Sequence, residues 1–346
     1  MSTRPPILAP TSESVGPLAR REDRAWQTAM RTAVRDVDEI CSLLELPRAY
    51  ARHARAAARD FPLFVPRGYL ARMRKGDPAD PLLRQVLPVG LEVRQMPGYV
   101  NDPVDDAAAE PVPGLLRKYH GRALLVTTGV CAVHCRYCFR RHFPYGEGPK
   151  SLADWESALA AIRADETIRE VILSGGDPLT LSDHRLLALT ERIAGIEHVT
   201  RLRVHTRLPV VIPERVTRGL LAWLRGSRLT SIVVIHANHA NEIDNTVAQA
   251  AGRLVDAGVP VLNQAVLLAG VNDSPEAQIA LWERLSDVRV LAYYLHRLDR
   301  VAGAAHFDVP IDRGRAIAKI LRDRLSGYAV PQFVEEIPGA ASKVPL

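Results

Sequence analysis

The sequence predicts a partial, open (β/α)6 barrel, with a helical segment before it and a short C-terminal segment after it. Two observations predict this fold. Short apolar, β-branched runs alternate with stretches of helical spacing, in units of roughly 30 residues, the length of a strand with its crossover helix. The runs number six, short of the eight of a closed barrel, and no G-x-G-x-x-G follows the first, which argues against a dinucleotide-binding sheet.

The elements follow in chain order. Residues 1–20 are rich in Pro and Ser and have the composition of a disordered tail. Residues 21–95 read as helical. There "AWQTAMRTAVRDVDEICSLLEL" places apolar residues three and four apart, and "RAYARHARAAARDF" is rich in Ala and Arg. Cys41 falls on the apolar face of this region and reads as structural. Residues 96–114, "MPGYVNDPVDDAAAEPVPG", form a connector marked by Pro, Gly and Asp. The barrel occupies 115–325. Its strand candidates are "RALLVTT" (122–128), "EVILSGG" (170–176), "RLRVHT" (201–206), "TSIVVIHAN" (230–238), "VPVLNQAVLL" (259–268) and "VRVLAYYLH" (288–296). Between them, stretches such as "WESALAAIRA", "HRLLALTERIAG" and "NTVAQAAGRLVDAG" carry helical spacing. Chemistry in such a fold belongs on the loops that leave the C-terminal strand ends.

Bulk properties narrow the function. The chain has 45 Lys and Arg against 39 Asp and Glu, a net charge of +6 spread without blocks of like sign. That is a solvated surface with basic pockets rather than a nucleic-acid footprint. No stretch approaches the ~18 apolar residues of a membrane span, and the N-terminal residues lack the apolar core of a signal peptide. The expectation is a cytoplasmic protein with no membrane contact. Disulfides are rare in that compartment, so clustered cysteines there read as metal or redox chemistry.

Three of the four cysteines stand together, as Cys131, Cys135 and Cys138, directly after the first strand. This C-x3-C-x2-C spacing lets three thiolates hold three irons of a cubane cluster and leave the fourth iron open to a ligand. Zinc is the rival, because His134 or His142 could complete a Cys3His site, although no second knuckle exists. A purely electron-carrying cluster would want a fourth cysteine, and Cys41 lies in a separate helical segment. One strand later comes Ser174-Gly175-Gly176-Asp177-Pro178, which by itself is only a strand-ending turn.

Together, the cysteine loop and "SGGDP" at this spacing resemble the radical S-adenosylmethionine (SAM) superfamily. The resemblance goes further. "KYHGRALLVTTGVCAVHCRYCFRRHFPY", "SGGDPL", "RLPVVIP", "NHANE", "LNQAVLLAGVNDS", "YYLHRLD" and "GAAHF" follow the lysine 2,3-aminomutases in order and spacing, over roughly residues 80 to 346. "DPLLRQVLP" (80–88) and the "SK-x-P" around Lys343 are similar to the short bacterial branch. That branch makes β-lysine for modification of translation elongation factor P.

The resemblance implies three cofactors. A 4Fe–4S cluster would sit on Cys131, Cys135 and Cys138. SAM would chelate its open iron, with Ser174, Gly175, Gly176 and Asp177 at the methionyl end and Gln264 also among the cofactor contacts. Pyridoxal 5′-phosphate (PLP) would be held by Lys343, which makes 326–346 a PLP-binding segment. Lys118, Tyr119 and Arg122 match the family's phosphate contacts, and Arg207 in "TRLPVV" joins them. Arg140 matches the clamp on the substrate carboxylate, a task suited to a planar, two-pronged guanidinium. Asp299 and Glu336 match the acids that hold the substrate's ε-ammonium, and they would reject a shorter neutral side chain because it leaves them unpaired. Longer aminomutases have four glycines after the proline, whereas this chain reads Pro338-Gly339-Ala340-Ala341-Ser342, which restricts positive φ.

The activity implied is a radical 1,2-amino shift that turns L-lysine into β-lysine, so an isomerase. The implied partners are a flavodoxin or ferredoxin as electron donor and the enzyme that ligates β-lysine to elongation factor P. The longer family members carry extra cysteines for zinc between subunits. This chain has none, and Ser274 stands at the internal zinc position, so the expectation is a monomer or dimer without a zinc-linked tetramer. Two other readings stay open. One is an aminomutase for a different amino acid. The other is an RNA-binding or RNA-modifying metalloprotein, whose affinity for RNA would fall with salt.

Overall fold

The computed structural model describes residues 17–346. The sheet contains β1 (Leu115–Leu116), β2 (Arg122–Val126), β3 (Glu170–Ser174), β4 (Arg201–Thr206) and β5 (Thr230–His236), followed by β6 (Val261–Val266), β7 (Leu291–His296), β8 (Gln332–Glu335) and β9 (Val344–Pro345). Every strand pairs with the next in the chain. From β2 to β8 the pairing is parallel, and β1 and β9 run antiparallel along the two edges. The sheet does not close, and helices flank it.

All six predicted runs are strands, and helices fill the six crossovers, from Glu156–Ala164 after β2 to Ile311–Arg324 after β7. Several of these helices start on a side-chain cap. Ser182 accepts from Arg185 N–H, Thr217 from Leu220 N–H, Asp244 from Thr246 and Val247 N–H, and Ser274 from Ala277 N–H. Each such cap contributes about 1 kcal/mol and fixes where the crossover turns back onto the sheet.

The strands alternate. In β6, Val261, Asn263 and Ala265 are buried, while Leu262, Gln264 and Val266 are only half-buried. One face of the sheet packs on helices and the other faces a hollow. The sequence did not reveal β1, β8 or β9. Two of these have two residues each, and "QFVE" in β8 is too short to show a period.

The N-terminal helices and the barrel share one apolar core, running from Trp26 and Ile40 through Leu125 and Leu202 to Phe333. Cys41 lies inside it at 4% exposure, the structural place expected of it. One boundary needs correction. The first helix spans Pro17–Arg31, so it begins inside the stretch expected to be disordered. Proline suits a first helical position because its missing N–H would have no intrahelical partner there. The rest of that expectation, residues 1–16, lies outside the described residues. No helix among the described residues is long and apolar enough to cross a membrane.

Candidate active site

The loop after β2 carries Cys131, Cys135 and Cys138 as free, half-buried thiols. It has no regular structure of its own and is staked from the N-terminal region. Arg136, fully buried, donates to Glu92 from Nε at 2.9 Å and from Nη2 at 2.5 Å, and to the Phe61 carbonyl from Nη1 at 2.7 Å. Arg141 reaches the same Glu92 carboxylate at 2.8 Å. A buried carboxylate between two guanidiniums holds only while all three are present, since losing one strands the others without water.

The histidines of this loop are engaged by backbone carbonyls, although His134 also lines the cavity of the three cysteines. His134 hydrogen-bonds the Pro62 carbonyl through Nδ1 at 2.8 Å and stacks on Phe61 with ring centres 5.0 Å apart. His142 Nε2 meets the Ala302 carbonyl at 3.1 Å. Among the described residues, no three His, Cys, Asp or Glu side chains gather closely enough to hold a single metal ion. The Cys3His arrangement is therefore not assembled. A cubane presents its irons at separate corners and takes spaced thiolates, so this donor set fits it.

The turn after β3 packs on the start of the cysteine loop. Gly176 N–H donates to the Thr128 carbonyl at 2.6 Å, and Asp177 N–H to the Val130 carbonyl at 2.8 Å. Gly175 has φ +125°, and a Cβ on Gly176 would stand 2.4 Å from the Val130 carbonyl oxygen. Both positions need glycine. Asp177 is a correction to the sequence reading. Its carboxylate accepts from the N–H groups of Leu179, Arg207 and Leu208 and from the Thr206 hydroxyl, at 2.7–3.1 Å. With both oxygens filled, it ties the end of β3 to the end of β4 and has none left for a cofactor. Burial pushes its carboxyl up to about 6 against these hydrogen bonds.

At the far edge of the hollow, the chain turns back on itself after β8. Ala340 N–H donates to the Ile337 carbonyl at 3.1 Å, with Pro338 and Gly339 between them and Gly339 at φ +76°. This is the type II pattern, which asks for glycine at one position only. Ala340, Ala341 and Ser342 have no positive φ, so their replacement of the family's glycines does not obstruct the turn. The return sets Lys343 opposite Glu336, and its ammonium donates to the carboxylate.

From there a row of charges of alternating sign crosses the hollow. Lys118 Nζ lies 3.0 Å from Glu336 Oε1 and 2.7 Å from Asp106 Oδ1. Asp106 Oδ2 in turn accepts from Arg140 Nε at 2.7 Å. Arg140 Nη1 reaches the Ser174 hydroxyl at 3.3 Å, and Nη2 has no hydrogen-bond partner among the described residues. Burial alone would raise the Glu336 carboxyl, but the Lys343 and Lys118 ammoniums hold it down to about 2. Asp299 has no ion pair among the described residues. Burial and the Glu336 carboxylate push it up to about 7.

Two adjoining cavities result. Lys118, Tyr119, Arg122, Glu336 and Lys343 line one, and the three cysteines with Gly175 and Gly176 line the other. Arg140, Ser174, His205, His236, Gln264 and Asp299 belong to both. The structure thus brings together most of the residues singled out from the sequence.

One phosphate assignment does not fit the geometry, that of Arg207. Lys118 donates to Glu336 at 3.0 Å and to the Val104 carbonyl at 2.7 Å, with Asp106 Oδ1 2.7 Å from its ammonium, and it lines the same cavity as Tyr119 and Arg122. Arg207 lines only the cysteine cavity and contacts Cys135. Arg203 lines the same cavity as Arg122, donating to the Tyr293 hydroxyl at 2.8 Å and to Glu170 at 3.0 Å. Its Nε is buried without a protein partner, as are the Nε2 atoms of His205, His236 and His296. Unpaired buried donors and acceptors on a cavity wall fit a polar group such as a phosphorylated pyridine. Burial holds His236 and His296 down to about 3, so both rings are neutral. The sequence reading missed Asp106, Arg203 and the three histidines. The signal was present on β4, where Arg203 and His205 stand two apart in an apolar run and so share the face toward the hollow.

The Radical SAM superfamily model matches residues 125–282. L-lysine 2,3-aminomutase of Escherichia coli (strain K12) is 47% identical over 327 residues, which are 94% of this chain and 95% of that protein. The chain belongs to the lysine 2,3-aminomutase family. L-lysine 2,3-aminomutase of Haemophilus influenzae is 43% identical over 93% of this chain and 96% of its own. The Clostridium subterminale protein of that name is 34% identical over 93% of this chain but 77% of its own length. As a lysine 2,3-aminomutase family member, the protein is a radical SAM enzyme of the isomerase class. Its radical SAM domain implies a 4Fe–4S cluster and SAM, and the spaced thiols beside a glycine turn fit them.

Proposed function

We propose that the protein converts L-lysine to β-lysine, with the cluster on Cys131, Cys135 and Cys138, SAM beside it, and PLP on Lys343. One observation carries this reading. Two cavities, one holding three thiols and the other Lys343, share Arg140 and Asp299 in their common wall. A substrate gripped at that wall has one cofactor on each side. When bound, the cluster and SAM supply a carbon radical that takes a hydrogen from lysine, and PLP supplies the conjugated system through which nitrogen moves from C2 to C3.

The chain's own residues bind and orient. Arg140 is fixed through Nε by Asp106, which aims its free Nη2 at a carboxylate. Asp299 and Glu336 hold the ε-ammonium, and Glu336 already bonds an ammonium of the same kind on Lys343. Tyr119, Arg122 and Arg203 donate to the phosphate. Neutral His205, His236 and His296 supply hydrogen bonds without adding charge. Half-buried walls keep water from the reacting carbons.

The chain is 47% identical to the Escherichia coli relative and 34% identical to the clostridial one, which sets it nearer the first, and the short-branch reading rests on the motifs of residues 80–88 and around Lys343. On that reading β-lysine serves modification of elongation factor P in the cytoplasm, with flavodoxin or ferredoxin as reductant. The test is anaerobic: the reconstituted protein is incubated with SAM, reductant and L-lysine. β-Lysine as product, and its transfer to elongation factor P by the modifying enzyme, are the expected results. Lysine recovered unchanged from a protein loaded with both cofactors would overturn the proposal.

A further inference from the structure

A buried network behind Cys135 has no part in the binding scheme above. Arg207 leaves the end of β4 with its backbone N–H held by Asp177 at 2.7 Å, and its side chain is buried. Nη2 donates to Glu242 Oε2 and to Gln85 Oε1, each at 2.7 Å. This pinning aims Nη1 at the Cys135 sulfur and the Tyr137 hydroxyl, each at 2.7 Å. Glu242 is itself fixed, accepting from Asn238 N–H at 2.8 Å and His239 N–H at 3.1 Å. The guanidinium cannot swing away, because moving it would strand the Glu242 carboxylate without water. Among the described residues, no other side chain donates to a thiol of the loop.

We propose that Arg207 sets the reduction potential of the cluster held by Cys135, with Glu242 opposing it. This rests on the cluster reading of the cysteine loop. Reduction adds one electron from an external low-potential donor, with no bond formed and no proton moved. The added negative charge spreads onto the cysteine sulfurs. A cation and hydrogen-bond donor touching one sulfur in a dry site stabilises the reduced cluster more than the oxidised one. Glu242 bonds the far end of the guanidinium, so its charge acts on the sulfur from a greater distance and subtracts less. Arg207 therefore makes the cluster easier to reduce, and Glu242 limits how far.

An anaerobic redox titration followed by electron paramagnetic resonance, with iron counted in each protein, tests this. The reconstituted full chain is compared with Arg207→Gln, Glu242→Gln and the double variant. Arg207→Gln lowers the reduced-to-oxidised ratio at a fixed potential by about tenfold or more, equal to about 59 mV for one electron. Glu242→Gln shifts it the other way. The double variant, which leaves no buried charge unpaired, falls between the wild type and Arg207→Gln, and it provides the measurement if the single variant does not fold. Equal midpoints in iron-replete proteins, or a rise in Arg207→Gln, overturn the inference and leave the cluster reading intact. A wild-type protein that takes up no iron overturns both.

Discussion

Glu336 and Lys343 stand seven positions apart on opposite arms of one turn, carboxylate against ammonium. The ammonium of Lys343 thus occupies the position in which Glu336 is proposed to hold the substrate. Once Lys343 is engaged by PLP, Glu336 keeps Lys118 on one oxygen, at 3.0 Å, and the ε-ammonium of lysine can take the place of the Lys343 ammonium on the other. Lys343→Ala should keep its full iron content and lose the PLP linkage that borohydride fixes. Peptide mapping that puts PLP on a different lysine would refute the assignment.

Removing either acid should weaken lysine turnover selectively. Breaking one partner of a buried charge contact costs roughly 2–5 kcal/mol. Asp299→Asn and Glu336→Gln should therefore each lower kcat/KM for lysine by about 30- to 3,000-fold. Both changes keep the shape of the side chain, so the loss reports charge rather than packing. Wild-type turnover in both variants would remove the ammonium-holding role.

Asp106 is a positioning residue, bonded to Arg140 on one side and Lys118 on the other. Asp106→Asn keeps an acceptor oxygen but loses the charge that aims Arg140. KM for lysine should rise by about tenfold or more while kcat changes less, and Asp106→Glu should recover part of the loss. If kcat alone falls and KM stays constant, Asp106 does not act through substrate binding.

The pH dependence follows from Asp299, whose carboxyl is raised to about 7. Below that value it is protonated and contributes no charge toward an ammonium. Apparent lysine affinity should improve as pH rises through about 7, and Asp299→Asn should flatten that profile. Stability runs the other way. A carboxyl raised in the folded state favours folding below the unfolded value, and that contribution is lost as pH rises through the folded one. Thermal melts of wild type and Asp299→Asn across this range would check the second sign.

Two glycines should respond differently to alanine. At Gly176 the new Cβ meets the Val130 carbonyl at 2.4 Å, so the turn and the cysteine loop must part. At Gly339 the Cβ meets nothing within 4 Å, and only the positive φ is strained. Gly339→Ala should cost about 1–2 kcal/mol. Gly176→Ala should cost more, and it should also lower iron content on reconstitution. Equal melting temperatures for the two would contradict the packing seen here.

What the sequence made legible has a physical pattern. The six strands were readable because a sheet covered by helices demands long apolar runs, and the cysteines because cluster geometry demands their spacing. Lys343 and Glu336 were singled out by resemblance alone, since a lysine beyond the barrel has no local signature, and the fold sets the two side by side. Arg207 was misplaced for a definite reason. Continued at strand period, it would join Arg203 and His205 on the face toward the hollow. The strand ends at Thr206, however, and Arg207 takes φ −105° and ψ −8° as the chain enters a short helix, which turns it toward Cys135. Asp106 was hidden by its neighbours. Asp102 and Asp105 lie in the same connector, and only the fold shows that Asp102 caps backbone N–H groups while Asp106 faces Arg140.

The order of the sheet has a consequence for the newborn chain. Because each strand lies beside its predecessor, the sheet can be laid down in the order of translation, with no earlier gap to be filled later. The cysteine loop follows β2, near the start of that sequence, whereas Lys343 comes after β8, the last parallel strand. A ribosome-bound intermediate therefore carries the thiols for the cluster long before it carries the residue proposed to hold PLP. Arg140 and Asp299 also precede β8, so of the residues proposed to act in the site only Glu336 and Lys343 arrive with the final turn. A product clipped before β8 would carry the three thiols without the lysine proposed to hold PLP.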